Sequence, residues 1–452
     1  MDFAKEAEHL FDIELPDYDA IHKWSVDRPD QFWIHAHNHL GIISEVSEQV
    51  LATGANLYYS VFFPTSSINI AQNFLKRSDD TDAIVWRDEL GNGSKLTWSE
   101  LNDLVSKLQQ AFLDIGVESG DRIAAWLPNR PETIAVMIAS ASIGAVFTSA
   151  SPDFGAKGLL DRFTQAAPKV LFATDGYFYG GKWFSCLDKL HEVEARLPTL
   201  EQTIIVPYTH EGISKEKTLH PHPQTLWSDF LKTYNAKEID FPSHSFDHPW
   251  YILYSSGTTG KPKCIVHRSG GVLIKHLVEH RLQSDVKTGD RVFYYTTTGW
   301  MMWNWLASAL ASQATVILYD GSPFYPSPTT LFDLADELSI TLFGVSAKYI
   351  DACANAGISP IDTHDLSSIR TICSTGSTLV GEGFDYVYQK IKKDVHLQSM
   401  SGGTDLCGCL VGGDPTGPVN RREIQKPALG LEIEILSDTG QVLDSGEQGE
   451  LV

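Results

Sequence analysis

From residue 83 onward, short apolar runs alternate with amphipathic stretches of roughly ten to fifteen residues, a pattern that limits a chain to a small set of folds. Residues 83–86, 122–127, 146–147 and 170–173 read as strands. Between them, Thr97 and Glu100 have the spacing of a capping box, which opens a helix that runs to about Ile115 and stops at Gly116. Residues 157–167 read as a second helix, closed by Pro168. A further series of strands follows at 250–254, 292–295, 314–319, 341–345 and 371–374. The His-, Pro- and Lys-rich stretch 207–248 separates the two series and reads as a surface excursion. Parallel βαβ units in two α/β subdomains are the expected architecture.

The ends of the chain differ from this middle. Residues 1 to about 55 read as helical and peripheral, and residues 1–82 as an N-terminal extension to a core spanning 83–425. At 426–452 the period changes to two, with turns at Ser437-Asp438-Thr439-Gly440 and Gly446-Glu447-Gln448-Gly449, so a small antiparallel β unit begins there. The sequence stops inside an expected strand, which suggests a chain cut from a longer one.

Composition narrows the function classes. The formal net charge is −22, which opposes nucleic-acid binding and requires that an anionic substrate meet a locally positive site. The start lacks the apolar run of a signal peptide, and the most apolar stretch, 134–150, is short for a bilayer span and reads as a buried helix entering a strand. Six cysteines in 452 residues make no disulfide framework, and Cys407-Gly408-Cys409 lacks zinc-knuckle spacing, so reduced thiols and a cytoplasmic location are expected. His35, His37 and His39 alternate, but no carboxylate or thiol in matching pattern accompanies them, and they read as structural.

The chemistry concentrates at Ser255-Ser256-Gly257-Thr258-Thr259-Gly260-Lys261-Pro262-Lys263, directly after a strand. The glycines let backbone N–H groups approach phosphate oxygens, the hydroxyls add donors, and the lysines offset charge. It is not a Walker A loop, because Pro262 follows Gly260-Lys261 where that motif needs Ser or Thr.

This loop resembles the signature loop of the adenylate-forming superfamily of acyl-CoA synthetases, with Cys264 where the family usually has Gly. Other motifs follow in family order. Ser374-Thr375-Gly376-Ser377-Thr378-Leu379 resembles the adenine-binding segment. Ser401-Gly402-Gly403-Thr404-Asp405 resembles the motif in which Thr contacts phosphate and an acidic residue, here the shorter Asp405, ligates Mg²⁺. Thr298-Gly299-Trp300 lies in a segment resembling the one that shapes the acyl pocket.

The resemblance implies ATP and CoA as co-substrates, Mg²⁺ at Asp405, and Thr404, Asp405 and Lys263 as catalytic. It implies nucleotide contacts along Ser255–Lys261, Gly376–Thr378 and Gly403-Thr404. Two unit charges at 4 Å repel by ~4 kcal/mol at an effective dielectric of 20, so carboxylate attack on a phosphate needs such equipment. The N-terminal extension resembles that of the short-chain enzymes. Gly402, where acetate-activating relatives carry a bulky Trp, implies room for a longer acid, and the resemblance is to the acetoacetate-activating branch. Trp300 and Gly402 would line the acid pocket and Lys348 would meet a 3-keto oxygen. Propionate or butyrate ligases, a domain loading a carrier protein, and a nucleotide-binding protein without catalysis are the alternatives. The family's ribose-binding Asp, hinge and C-terminal domain are not represented in this sequence, so poor activity of the chain alone is expected. Oligomeric state is left open.

Overall fold

The computed structural model describes residues 2–56, 59–208, 222–255 and 260–452. Two seven-stranded sheets form its centre. In the first, the order is Gln224–Leu226, Gln202–Val206, Val170–Thr174, Arg122–Trp126, Val146–Ala150, Pro249–Ser255, Lys263–Arg268. In the second it is His396–Ser399, Thr371–Thr375, Leu342–Ser346, Arg291–Tyr294, Thr315–Asp320, Asp82–Asp88, Gly93–Thr97. Neighbours pair in parallel in both sheets except at one edge of each, where the last two strands form an antiparallel hairpin. Strands Val146–Ala150 and Val170–Thr174 are buried along their whole length, as strands covered on both faces must be.

The expected two α/β subdomains are present as two sheets, but the division by chain order is corrected. Asp82–Asp88, the first strand of the early series, lies in the second sheet beside Thr315–Asp320. Pro249–Ser255, the first of the late series, lies in the first sheet beside Val146–Ala150. Local periodicity identifies a strand but does not choose its partner. The expected surface excursion also contributes structure: Gln224–Leu226 is the edge strand of the first sheet. Residues 209–221 of it lie outside the described residues.

Local rules hold where they are local. Thr97 Oγ1 accepts from Glu100 N at 3.1 Å and Glu100 Oε2 from Thr97 N at 2.8 Å, closing the capping box of helix Trp98–Asp114. Gly116 ends that helix region at φ +76°, a conformation glycine adopts without steric cost. The apolar stretch 134–150 is the buried helix Pro131–Ser142 followed by strand Val146–Ala150. No described helix is long and apolar enough to cross a membrane. The six cysteines form no disulfide.

Helices Asp2–Phe11, Tyr18–Asp27 and Pro29–His39 form the N-terminal region. They are fastened to the far end of the chain. Tyr18 Oη donates to the Pro427 carbonyl at 2.8 Å, His22 Nε2 lies 2.9 Å from the Leu431 carbonyl, and Gly430 N donates to Ser25 Oγ at 2.8 Å. Lys426 pairs with Asp19 at 2.6 Å. The C-terminal β unit is antiparallel as expected, pairing Ile435–Leu436 with Glu450–Leu451.

Polar links join the two sheets. Asn129, after strand Arg122–Trp126, donates from Nδ2 to the Tyr319 carbonyl and accepts at Oδ1 from Trp303 Nε1. Ser149 Oγ donates to the Thr298 carbonyl at 2.6 Å, and Thr298 Oγ1 donates to the Leu127 carbonyl at 2.7 Å. These bonds fix residues 296–300 at the carboxyl end of strand Arg291–Tyr294, which has Thr315–Asp320 on one side and Leu342–Ser346 on the other. Successive connections leave that strand in opposite directions, and such a switch point is where open α/β sheets bind ligands.

Candidate active site

A cavity of about 440 Å³ opens at the carboxyl end of the second sheet. Three separate segments converge on it: Thr375–Leu379, Ser399–Thr404, and Trp300 with Met301 and Met302. Its size is that of a small-molecule site. Parallel strands Thr371–Thr375 and His396–Ser399 bring the first two together. Their ladder continues past the strand ends, with Met400 N donating to the Ser374 carbonyl at 2.8 Å and Thr375 Oγ1 to the Met400 carbonyl at 2.9 Å. Gly376 turns the chain at φ +86°, and Gly376, Ser377 and Thr378 are exposed along the rim. Trp300 precedes helix Met301–Ala307 and is 69% exposed, so its ring is available to whatever enters.

Residues 401–412 form a hairpin of strands Ser401–Gly403 and Gly408–Gly412. Thr404 and Asp405 lie in its turn. Gly402 and Gly403 line the cavity with Thr404. A side chain at Gly402 would begin 2.1 Å from the Gly408 carbonyl oxygen, so this glycine permits close approach of the hairpin strands as well as leaving space. Asp405 is exposed at the tip, and no protein cation pairs with it among the described residues.

Helix Ser269–Val278 and its continuation Glu279–Gln283 anchor this hairpin from behind. The buried Glu279 carboxylate meets Lys275 at 2.9 Å, accepts from Cys409 N at 2.9 Å through Oε1, and accepts from Trp305 Nε1 at 2.8 Å through Oε2. Lys275 Nζ also donates to the Cys409 carbonyl at 3.0 Å. His276 Nε2 donates to the Cys407 carbonyl at 2.6 Å, and His267 Nε2 to the Thr404 carbonyl at 2.8 Å. A carbonyl can only accept, so each ring nitrogen carries its proton toward the hairpin. Burial pushes both histidines down, His276 to about 4, so both are neutral near pH 7.

The glycine loop is seen only at its ends. Ser256, Gly257, Thr258 and Thr259 lie outside the described residues. Ser255 closes strand Pro249–Ser255 and faces Lys263, which opens strand Lys263–Arg268. Gly260 stands at φ +110°, and Lys261 and Lys263 are exposed. None of these four lines the cavity, but the strand that Lys263 begins carries His267 to Thr404. Lys348 also stays outside the cavity lining. It is exposed in the first turn of helix Ala347–Asn355, whose cap Ser346 lies 4.0 Å from where a side chain at Gly376 would start.

Sequence reasoning missed the anchoring residues His267, Lys275, His276 and Glu279, and the cavity-lining Arg422, Glu423 and Ile424. Gly408 was the available signal. A side chain there would begin 2.4 Å from Glu279 Oε1 and 2.6 Å from Lys275 Cε, so the glycine marks close approach to a buried ion pair.

The profile of the AMP-binding enzyme family matches residues 71–452. The chain belongs to this family. An acetoacetyl-coenzyme A synthetase of Rhizobium meliloti (strain 1021) is 48% identical over 442 residues, covering 98% of this chain and 67% of that protein. A malonamoyl-CoA synthetase of Penicillium aethiopicum is 35% identical over 477 residues, covering 100% of this chain and 66% of that protein. Among solved structures, acetoacetyl-CoA synthetase from Streptomyces lividans superposes with a TM-score of 0.93 at 38% identity, covering 100% of this chain and 69% of that one. Membership makes the chain an enzyme of the acid–thiol ligase type.

Two outcomes are expected. Glu279→Ala removes the buried carboxylate that pairs with the part-buried Lys275 and leaves Trp305 Nε1 and Cys409 N without their acceptor, so stability falls by about 2–4 kcal/mol in denaturant titration; an unchanged midpoint would contradict the anchoring role. His276 takes up a proton near pH 4 when folded but near its ordinary 6.5 when unfolded. Its contribution is therefore present above pH 6.5 and lost as pH falls through that window, by about 3 kcal/mol in all. Denaturation midpoints measured from pH 7 to 4 should fall, and His276→Gln should flatten the slope.

Proposed function

We propose that the protein activates a short carboxylic acid bearing a carbonyl at carbon 3, with acetoacetate as the preferred acid, to its acyl adenylate and then its CoA thioester. The observation that carries this reading is the convergence of the adenine-type segment, the Thr404 hairpin and Trp300 on one cavity. The relatives' names add the acid. Acetoacetate and malonamate share a 3-carbonyl and differ in the group beyond it, methyl or amino.

In the first step a carboxylate oxygen of the acid attacks the α-phosphorus of ATP and pyrophosphate leaves, giving acyl-AMP. In the second the CoA thiolate attacks the acyl carbon and AMP leaves. The exposed backbone of Gly376–Thr378 packs against the purine, and the Thr404 hydroxyl with the Gly403-Thr404 backbone meets the α-phosphate. Ser255–Lys261 receives the outer phosphates, and Lys263 sits at the base of that loop as a positive charge. These donors are aimed at charge that grows in the transition state, where fixed dipoles act most strongly.

Asp405 fits a magnesium ligand, since it is an exposed carboxylate beside Thr404 with no cation partner among the described residues, and Mg²⁺ is held by one or two carboxylates with phosphate oxygens. Bound there, the ion would offset phosphate charge. Trp300 and Met301 supply apolar surface for the acid, and Gly402 leaves it room. Lys348 is the candidate partner of the 3-keto oxygen, supported by its place in the helix that starts beside Gly376.

Pyrophosphate exchange into ATP, measured on the full-length protein, tests this reading. Acetoacetate should support faster exchange than butyrate, propionate or acetate, and malonamate should be accepted. A methylene alone discriminates by only about 1–3 kcal/mol, so the contrast between acetoacetate and butyrate isolates the carbonyl. Fastest exchange with acetate or butyrate would overturn the assignment. Lys348→Ala should lower the acetoacetate-to-butyrate ratio, and an unchanged ratio would remove that residue from the pocket.

A further inference from the structure

The alternating histidines near the N-terminus divide in the fold. Helix Pro29–His39 places His35 and His39 one turn apart on the same face. His37 points elsewhere, with Nε2 2.7 Å from Ser44 Oγ. The carboxylate that the local sequence did not provide comes from another helix: Glu6, on Asp2–Phe11, lies with Oε2 2.6 Å from His39 Nδ1.

We propose that Glu6, His35 and His39 form a binding site for a divalent transition cation of the zinc class. One donor atom from each residue lies within 4.8 Å of the others. Two imidazoles and a carboxylate are a recognised zinc set that leaves a fourth position for water, and since bonds near 2.0–2.2 Å put tetrahedral ligand atoms about 3.4 Å apart, the His39–Glu6 contact must open while the wider gaps close.

Two features prepare the site. His35 Nε2 lies 2.9 Å from the Phe3 carbonyl, to which it must donate, so the lone pair is on Nδ1. A ligand histidine oriented by a backbone carbonyl on its second nitrogen is the usual arrangement around zinc. The Phe3 ring packs on both imidazoles, with centroids 4.5 Å from His35 and 5.2 Å from His39, restricting their rotation. A cation bound at His39 Nδ1 takes the place of the hydrogen bond between His39 and Glu6. Occupation ties the first helix to the third at a point far in the sequence from the Thr404 hairpin.

Zinc chloride titration of the full chain, with purification tags removed, tests the proposal by isothermal calorimetry and thermal unfolding. One zinc per chain should bind and raise the unfolding midpoint. Glu6→Gln and His39→Ala, both at partly exposed positions, should each weaken binding about tenfold or more. Their far-UV dichroism should match the parent. Asp405→Asn should bind zinc as the parent does, which separates this site from the nucleotide site. No saturable zinc binding, or binding unaffected by the double change Glu6→Gln with His39→Ala, would overturn the proposal.

Discussion

The Glu279 carboxylate holds together the elements from which the cavity is made. Its two oxygens reach Lys275 on their own helix, Cys409 N on the hairpin, and Trp305 on the helix that follows Trp300. A buried charge is costly unless paired and hydrogen-bonded, and here Lys275, Cys409 N and Trp305 Nε1 all donate to it. The same requirement explains Gly408, because any side chain there would occupy the space between hairpin and ion pair. Thr404 and Asp405 are thus held by a network beneath the hairpin, with His267 and His276 adding a bond each. A loop positioned from behind in this way keeps its front open for a ligand.

What was legible in the sequence is what local physics decides. Thr97 and Glu100 announce a capping box because both partners lie in one turn. The strands show by their apolar runs. The adenine-type segment, Trp300 and Thr404 were recognisable as motifs, and they meet in one cavity. Sheet membership was not legible, since the hairpins at 82–97 and 249–268 each complete the edge of the sheet formed mostly by the other series. Strand pairing is chosen by burial across long separations in the chain. The anchoring network was hidden for the same reason: Glu279 and Cys409 are 130 residues apart. Cys407-Gly408-Cys409 drew attention for its thiols, whereas the glycine between them carries the structural information.

The N-terminal helices follow this logic at longer range. Tyr18, His22 and Ser25 bond to residues 427–431, more than 400 positions away, so the start of the chain braces the segment that follows the Thr404 hairpin and its third strand, Lys426–Pro427. Glu6 and His39, 33 residues apart, meet by the packing of two helices that the sequence shows only as separate amphipathic stretches.

The central claim is that the adenine-type segment and the Thr404 hairpin act as one nucleotide site. Hydrogen–deuterium exchange of the chain with and without AMP tests it most directly. Slower exchange at residues 374–379 and 399–409 together is the predicted result. Protection of either segment without the other, or of neither while AMP binds elsewhere, would contradict the account.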